Sequence, residues 1–216
     1  MAETFQLTLG GTFGQGPMWQ NRVEAGAVNV LAKGDTAYLF GVDATDTRGG
    51  ANQWQAGVGY RRNVFVRGRH SFSLAGGVQH WQFPLVKCGT RDWLTHQSVT
   101  YRTRLRSLPV TVTSDAWNLW KSPLPKGNAV HSQMWVEHPI TRKETVQVAF
   151  RHGPAHTYSW GFYGTHGNRV LRYQTMLAMY WRGTRFEAGL RKQWGLQPGI
   201  VNNTFWQFAV SRTFLK

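Results

Sequence analysis

The segment Val99–Ser107 reads VTYRTRLRS and alternates apolar residues with basic ones. In an extended strand, successive side chains point to opposite faces, so each kind of residue collects on one face. The apolar face carries Val99, Tyr101 and Leu105, and the basic face carries Arg102, Arg104 and Arg106. Such a strand lies between an environment that accepts apolar side chains and one that solvates guanidinium groups.

The same alternation with period two recurs along the chain, whereas helical periodicity is nearly absent. Clear alternating segments occupy 4–13, 38–44, 53–61, 71–79, 99–106, 146–151, 171–182 and 206–214, and weaker ones occupy 22–32, 110–119, 130–138 and 185–192. Together they predict an all-β chain of about twelve strands. We expect the apolar rows, including the row of Tyr38, Phe40, Val42 and Ala44, to share one face of the sheet.

The connections between these segments alternate between long and short. The long ones are 14–21, 45–52, 83–97, 120–129, 152–168 and 193–203, and the short ones are 33–36, 62–69, 107–109, 139–144 and 182–184. A meander of strands that run up and down has this pattern when one end carries long loops and the other carries tight turns. A sandwich with crossing connections gives no reason for such sorting.

The composition indicates that the apolar rows face outward. Charged residues are only 16% of the chain, whereas aromatic residues are 14%, and the rows opposite the apolar ones are rich in Gly, Ser, Thr, Gln and Arg. Small residues are not typical of the solvent-exposed outer face of a soluble barrel, but they suit a crowded or water-filled interior. Aromatic residues collect near the strand ends, as in the two girdles of membrane barrels. The apolar run Met176–Trp181 is far shorter than the roughly 20 residues of a membrane helix.

On these features the whole chain resembles the bacterial outer-membrane β-barrel class. The last strand, TFWQFAVSRTF, is similar to the C-terminal strand that the barrel assembly machinery recognises, with Phe214 as its aromatic end. It departs from that pattern because Leu215 and Lys216 follow Phe214 and because Arg212 interrupts the outward row.

The resemblance implies one transmembrane domain over residues 1–216. Its fold is an antiparallel up-and-down β-barrel of about 12 strands, in the range of 10–14, with short periplasmic turns and long extracellular loops. Both termini lie on the periplasmic side. The expected location is the bacterial outer membrane, in contact with its lipid and lipopolysaccharide. The N-terminal sequence MAETFQLTLGG has no basic start or long apolar stretch, so we expect that a signal peptide has been removed.

A formal charge of +15 points to an anionic partner. The alternation sends nine arginines into the lumen: Arg61, Arg102, Arg104, Arg106, Arg151, Arg172, Arg182, Arg185 and Arg191. The acids expected there are Asp43, Asp115, Glu137 and Glu187. Arginine rings favour anions, and inward tryptophans such as Trp135 stack on sugars, so the prediction is a porin-like channel for small anionic or sugar-like solutes.

Two other functions stay open. The arginines could pair with the acids in a structural or receptor barrel that does not conduct, with 85–93 or 152–168 folding back as a plug. Alternatively, the barrel could be an enzyme that hydrolyses or acylates lipid A or phospholipid. His96 and Ser98 share one strand face and loosely resemble a motif of lipid A deacylases, with Val99 in place of the expected asparagine. Further candidate pairs are His131 with Ser132, and Ser159 with the histidines of its loop.

No cofactor and no metal are expected. Cys88 is the only cysteine, which excludes an internal disulfide and a thiolate cluster. The predicted loop at 152–168 contains His152, His156 and His166 but no carboxylate, which is a weak basis for a metal site. Nucleic acid is not an expected partner, because the basic residues are spread over nearly all strands and no binding motif is present.

Overall fold

The computed structural model describes residues 2–13, 18–46, 52–83, 90–121, 126–143, 145–160, 168–197, 200 and 202–215. These residues form twelve β-strands. The strands are β1 (Ala2–Phe13), β2 (Met18–Val28), β3 (Thr36–Asp46), β4 (Asn52–Arg67), β5 (His70–Phe83), β6 (Thr90–Leu105), β7 (Leu108–Lys121), β8 (Gly127–Arg142), β9 (Val146–Trp160), β10 (Asn168–Trp181), β11 (Thr184–Gly195) and β12 (Asn203–Leu215).

Each strand pairs antiparallel with its neighbours in the chain, and β1 pairs with β12 to close the barrel. This closing pair runs from Thr4 opposite Leu215 to Phe13 opposite Trp206. The prediction of an all-antiparallel barrel of about twelve strands is confirmed. The described residues contain no helix that is long and apolar enough to cross a membrane.

Two-residue turns at 68–69, 106–107 and 182–183 join strands at one end of the barrel, which we call the turn end. β1 begins and β12 ends at this turn end. At the opposite end, the loop end, most of the connecting residues lie outside the described part of the chain. The predicted long loops, and their extracellular side, therefore stay predictions.

The turn at Arg182 and Gly183 has positive φ at both residues, 46° and 78°. A type I′ turn requires this conformation, and its twist matches the twist of the strands that it joins. Arg106 also has a positive φ, 58°, in the turn between β6 and β7. Both arginines therefore belong to turns.

The connection between β2 and β3 is organised by Asp35, whose side chain is buried. Its carboxylate accepts hydrogen bonds from the backbone N–H groups of Val30 (2.7 Å), Leu31 (3.0 Å) and Ala32 (2.7 Å), and from the Tyr60 hydroxyl. Residues 29–35 are consequently a folded turn. The segment predicted at 22–32 is the strand Met18–Val28, which begins and ends four residues earlier.

We expect Asp35→Asn to lower the thermal unfolding midpoint of the barrel at neutral pH, because an amide cannot accept all of these hydrogen bonds. Burial alone raises the pKa of Asp35, but the hydrogen bonds from the Tyr60 hydroxyl and the three backbone amides together lower it by more, so the net pKa lies below its ordinary value of 3.8. The carboxylate therefore stabilises the fold above about pH 3.8, and this contribution is lost as the pH falls through the lower folded pKa.

Melting curves between pH 7 and pH 2 measure this effect, and Lys33→Ala, in the same turn and exposed, is the control. The difference between wild type and Asp35→Asn should be largest at neutral pH and vanish at the acid end. A difference that is independent of pH would contradict the role of the charged carboxylate.

Most apolar rows face the outside of the barrel, as predicted. Exposed fractions reach 60% for Trp54, 61% for Val58 and 63% for Trp206. The residues between them point inward, and Gln79, Gln174 and several small side chains are buried there. Arg212 lies on the outer face, with its guanidinium carbon 5.0 Å from the centre of the Phe214 ring.

In β3 the predicted direction is wrong. Phe40 is buried inside the barrel, and Tyr38, Val42 and Ala44 share its face, whereas Leu39 is exposed on the outside. The reason lies in β4, where the inward residues opposite Tyr38 and Phe40 are Gly59 and Gly57. A Cβ at Gly57 would lie 2.7 Å from the Phe40 ring, and one at Gly59 would lie 2.5 Å from Tyr38, so the rings fill the space that the two glycines leave.

A second correction concerns the segment 152–168, for which the sequence predicts a loop and a candidate plug. Residues 152–160 belong to β9, where Gly153, Ala155 and Ser159 are buried on the inner face, Thr157 shares that face, and the alternate residues face outward. The small inward residues allow the strand to continue past Pro154. Residues 161–167 of the predicted loop, and residues 85–89 of the other candidate plug at 85–93, lie outside the described residues.

Candidate functional site

Seven of the nine predicted arginines lie in strand rows that face the lumen: Arg61, Arg102, Arg104, Arg151, Arg172, Arg185 and Arg191. Arg106 and Arg182 do not line it, because they lie in two-residue turns at the turn end. Asp43 is also misplaced in the prediction. Since β3 has the opposite phase, Asp43 pairs with the outward Trp54 and faces the outside.

A first lumenal cluster joins β2 and β4 around Glu24, which is 7% exposed. Its carboxylate accepts hydrogen bonds from Arg22, at 2.9 Å, and from Arg61. The Arg22 guanidinium lies 4.4 Å from the centre of the Phe40 ring, and that of Arg61 lies 4.8 Å from the Tyr38 ring. One acid therefore neutralises part of the charge of two arginines, and the inward aromatic residues of β3 hold both in place.

A second cluster joins β8, β9 and β11. Arg151 donates to Glu187 at 2.6 Å and lies 3.4 Å from Glu137, and Arg185 also pairs with Glu187. The Arg151 guanidinium lies 4.6 Å from the centre of the Trp135 ring. The predicted lumenal acids Glu137 and Glu187 are thus part of a network of ion pairs around Arg151.

Arg172 and Arg191 differ from these clusters. Arg172 donates to the side-chain oxygens of Gln193 (2.9 Å) and Thr157 (2.7 Å), and Arg191 donates to Gln174 (3.2 Å). Within the described part of the chain, neither guanidinium has an acidic partner. Because Arg172 is opposite Gln193 and Arg191 is opposite Gln174, the two arginines are diagonal neighbours on the lumenal wall. Among the described residues, these two cations therefore form hydrogen bonds only with neutral side chains.

The proposed catalytic residues His96 and Ser98 also face the lumen, on β6. The His96 Nε2 atom lies 3.0 Å from the Asp115 carboxylate, and Asp115 also accepts a hydrogen bond from Ser98. Asp115 thus lies in the lumen, as predicted. The carboxylate binds both side chains, so the histidine is not arranged to take the serine proton. The second candidate, His131, is bonded to Thr157 at 2.9 Å, whereas Ser132 faces outward and bonds Ser114.

The histidines of β9 lie on the outer face. His152 Nε2 is 2.9 Å from His138 Nε2, and His152 Nδ1 is 2.6 Å from the Tyr173 hydroxyl, so both ring nitrogens are engaged. His156 shares that face, and His166 lies outside the described residues. Among the described residues, no three His, Cys, Asp or Glu side chains converge as metal ligands do.

Two of the cavities in the lumen are lined by described residues. The first has a volume of about 320 Å³ and is lined by Arg191, Trp135 and four glutamines, which are Gln20, Gln133, Gln174 and Gln207. The second, of about 450 Å³, is lined by Arg61, Arg102, Glu24, His96 and Ser98. Arg22 borders both cavities, so its side chain lies where one meets the other.

Arg22 and Glu24 were not among the predicted site residues. They lie in the weak segment, where the alternation of Gln20, Arg22 and Glu24 with Asn21 and Val23 is the signal that places them on the inner face. The four glutamines of the first cavity lie in inward rows for the same reason.

No family model and no curated protein matches this sequence, but solved structures do. LpxR from Salmonella typhimurium superimposes with a TM-score of 0.59 at 7% identity, over 96% of this chain and 99% of that one. The β domain of the Bordetella autotransporter BrkA gives 0.58 at 12% identity, over 98% of each chain. A KdgM porin gives 0.54 at 10% identity, over 97% of this chain and 99% of the porin.

At these identities the similarity concerns the fold. The three structures have different functions, so the shared architecture does not select among them. Together with the closed ring of twelve antiparallel strands and the outward apolar rows, it shows that this chain has the fold of the bacterial outer-membrane β-barrels.

Proposed function

We propose that this protein is an outer-membrane channel that passes small anionic or sugar-like solutes through an arginine-lined lumen. Its surroundings would be outer-membrane lipid and lipopolysaccharide, and the barrel assembly machinery would insert it. The observation that carries this proposal is the pair Arg172 and Arg191, which is bonded only to amide and hydroxyl oxygens among the described residues.

An arginine that is paired with a carboxylate contributes little net charge to its surroundings, whereas one bonded to neutral acceptors keeps its full charge. A guanidinium has five N–H donors, and Arg191 uses one of them on Gln174. The remaining donors suit a carboxylate, which binds guanidinium in a bidentate manner. The loop-end half of β10 and β11 therefore offers an attractive site to a passing anion.

The lining of the first cavity also suits sugars. Glutamine side chains donate and accept hydrogen bonds, as sugar hydroxyls do, and Gln20, Gln133, Gln174 and Gln207 surround Arg191 there. A KdgM porin of similar fold has been solved in complex with oligogalacturonate, an acidic sugar chain. For this chain, the arginine pair and the glutamines beside it are what support an acidic sugar as the solute.

Planar bilayers test the proposal. Under a KCl gradient, the purified wild-type protein should produce conductance steps whose reversal potential has the sign of anion selectivity. Galacturonate should reduce the chloride conductance more than the same concentration of galactose, because only the acid binds the arginine pair. Silent bilayers, cation selectivity, or equal block by both sugars would contradict the proposal.

A further inference from the structure

The outer wall of β2–β5 contains a cleft of about 690 Å³ near the loop end. Its floor is formed by Gly41 and Ala56, which are opposite each other on β3 and β4. A Cβ added at Gly41 would meet no other atom within 4 Å. Immediately towards the turn end, Leu39 and Val58 cover the wall with large apolar side chains. The cleft is therefore a depression in a surface that is otherwise filled.

Polar side chains form the rim of this cleft, although the outer face of a membrane barrel is normally apolar. Asn21 is opposite Asp43, Asp43 is opposite Trp54, and Trp54 is opposite Gln82, so these four residues form one row across four strands. His80 lies opposite Ala56 and forms one wall. Within the described residues, the Asp43 carboxylate has no hydrogen-bond or ion-pair partner.

The row lies at the level of the outward tryptophans at the loop end. Trp19 is opposite Thr45, another residue of the cleft, and the Trp93 ring lies 4.9 Å from the ring of His80. Tryptophan is favoured where hydrocarbon meets the polar headgroups. The polar row therefore lies among lipid headgroups, and the floor of Gly41 and Ala56 lies beside the acyl chains.

The chemistry of the rim matches hydroxyl groups better than phosphate. The rim offers one carboxylate, two side-chain amides, an imidazole and a threonine hydroxyl, and no Lys or Arg is among the described residues that line it. Trp19 donates to the Asn21 amide oxygen at 2.7 Å, which directs the amide N–H groups of Asn21 elsewhere. A carboxylate accepts hydrogen bonds from hydroxyls but repels phosphate, and Trp54, which is 60% exposed, offers a ring face.

We propose that this cleft binds an acylated sugar of the surrounding bilayer. The sugar lies on the row formed by Asn21, Asp43, Trp54 and Gln82, and one acyl chain lies over Gly41 and Ala56. The depression accommodates the chain, and the Asp43 carboxylate, which has no partner among the described residues, gains hydroxyl donors that compensate its removal from water. The site is on the outer wall and is independent of conduction through the lumen.

Lipid retention tests this proposal. The barrel is placed in nanodiscs of equal parts phosphatidylethanolamine, phosphatidylglycerol and a lipid A from which both phosphates have been removed, and the lipids that remain bound after gentle extraction are counted by native mass spectrometry. Wild type should retain lipid A over either phospholipid by about fivefold, which corresponds to roughly 1 kcal/mol. Gly41→Leu, at a position where a Cβ meets no other atom within 4 Å, fills the depression and should abolish this preference, and Asp43→Asn should reduce it.

The matched control is Ala188→Leu, which adds a similar side chain at an exposed outward position of β11, away from the cleft. It should leave lipid retention unchanged, and gel mobility before and after boiling should show that all variants are folded. Equal retention of the three lipids, a preference for a phospholipid, or a lipid A preference that survives Gly41→Leu would overturn the proposal. Conductance of Gly41→Leu should equal that of wild type, which separates this site from the channel.

Discussion

Replacing Arg172 and Arg191 together by glutamine should lower the anion-to-cation permeability ratio on the order of fivefold, because a full charge at about 7 Å in a water-like medium contributes roughly 0.6 kcal/mol and salt screens part of it. Reversal potentials under a KCl gradient measure the ratio. Glutamine keeps a hydrogen-bonding group towards Gln193, Thr157 and Gln174, so we expect the wall between β9 and β11 to keep its fold.

The turn arginines provide the matched control for this experiment. Arg106→Gln combined with Arg182→Gln removes the same formal charge from the chain, but both residues lie in turns outside the lumen. This control should shift the permeability ratio by far less than the lumenal pair. If both double variants changed the ratio equally, the selectivity would come from the overall charge of the protein, and the lumenal site would be refuted.

The alternation of side chains predicted the strand number and the closed antiparallel fold because a membrane barrel sorts residues by a simple physical rule. Each strand has one face against hydrocarbon and one against the lumen, so period two is visible in the sequence itself. The rule fails in β3 because both of its rows contain apolar residues, Leu39 on one and Phe40 on the other. The deciding information is in β4, where Gly57 and Gly59 leave room for rings inside.

Alternation gives only the face on which a residue lies, and this limit also explains the errors in the predicted site residues. Alternation does not show where a strand ends, so it predicts lumenal positions for Arg106 and Arg182 although each lies one residue past a strand. Ion pairing depends on which strands are adjacent and in what register. Glu24 and Arg61 are 37 residues apart in the sequence, and only the pairing of β2 with β3 and of β3 with β4 brings them together.

Glu24→Gln should lower the free energy of unfolding by about 1–3 kcal/mol, the usual cost of removing a charged hydrogen-bond partner that is mostly buried. The Glu24 side chain is 9% exposed, whereas those of Arg22 and Arg61 are 37% and 46% exposed. Water can therefore solvate the released guanidiniums in part, which keeps the cost below that of a fully buried pair. Urea unfolding of the reconstituted barrel, followed by tryptophan fluorescence, measures the change.

Glu137→Gln is the matched control, because Arg151 keeps its closer partner Glu187 when Glu137 loses its charge. It should cost less than about 1 kcal/mol, the usual net contribution of one polar interaction, because the charge of Arg151 stays paired. Combining Glu24→Gln with Arg61→Gln should recover part of the lost stability, since the repulsion between Arg22 and Arg61 is then removed.

Glu24→Gln should also increase anion selectivity, because it frees two lumenal cations. A loss of stability without that increase would show that the cluster around Glu24 holds the barrel together but lies outside the path of the ions.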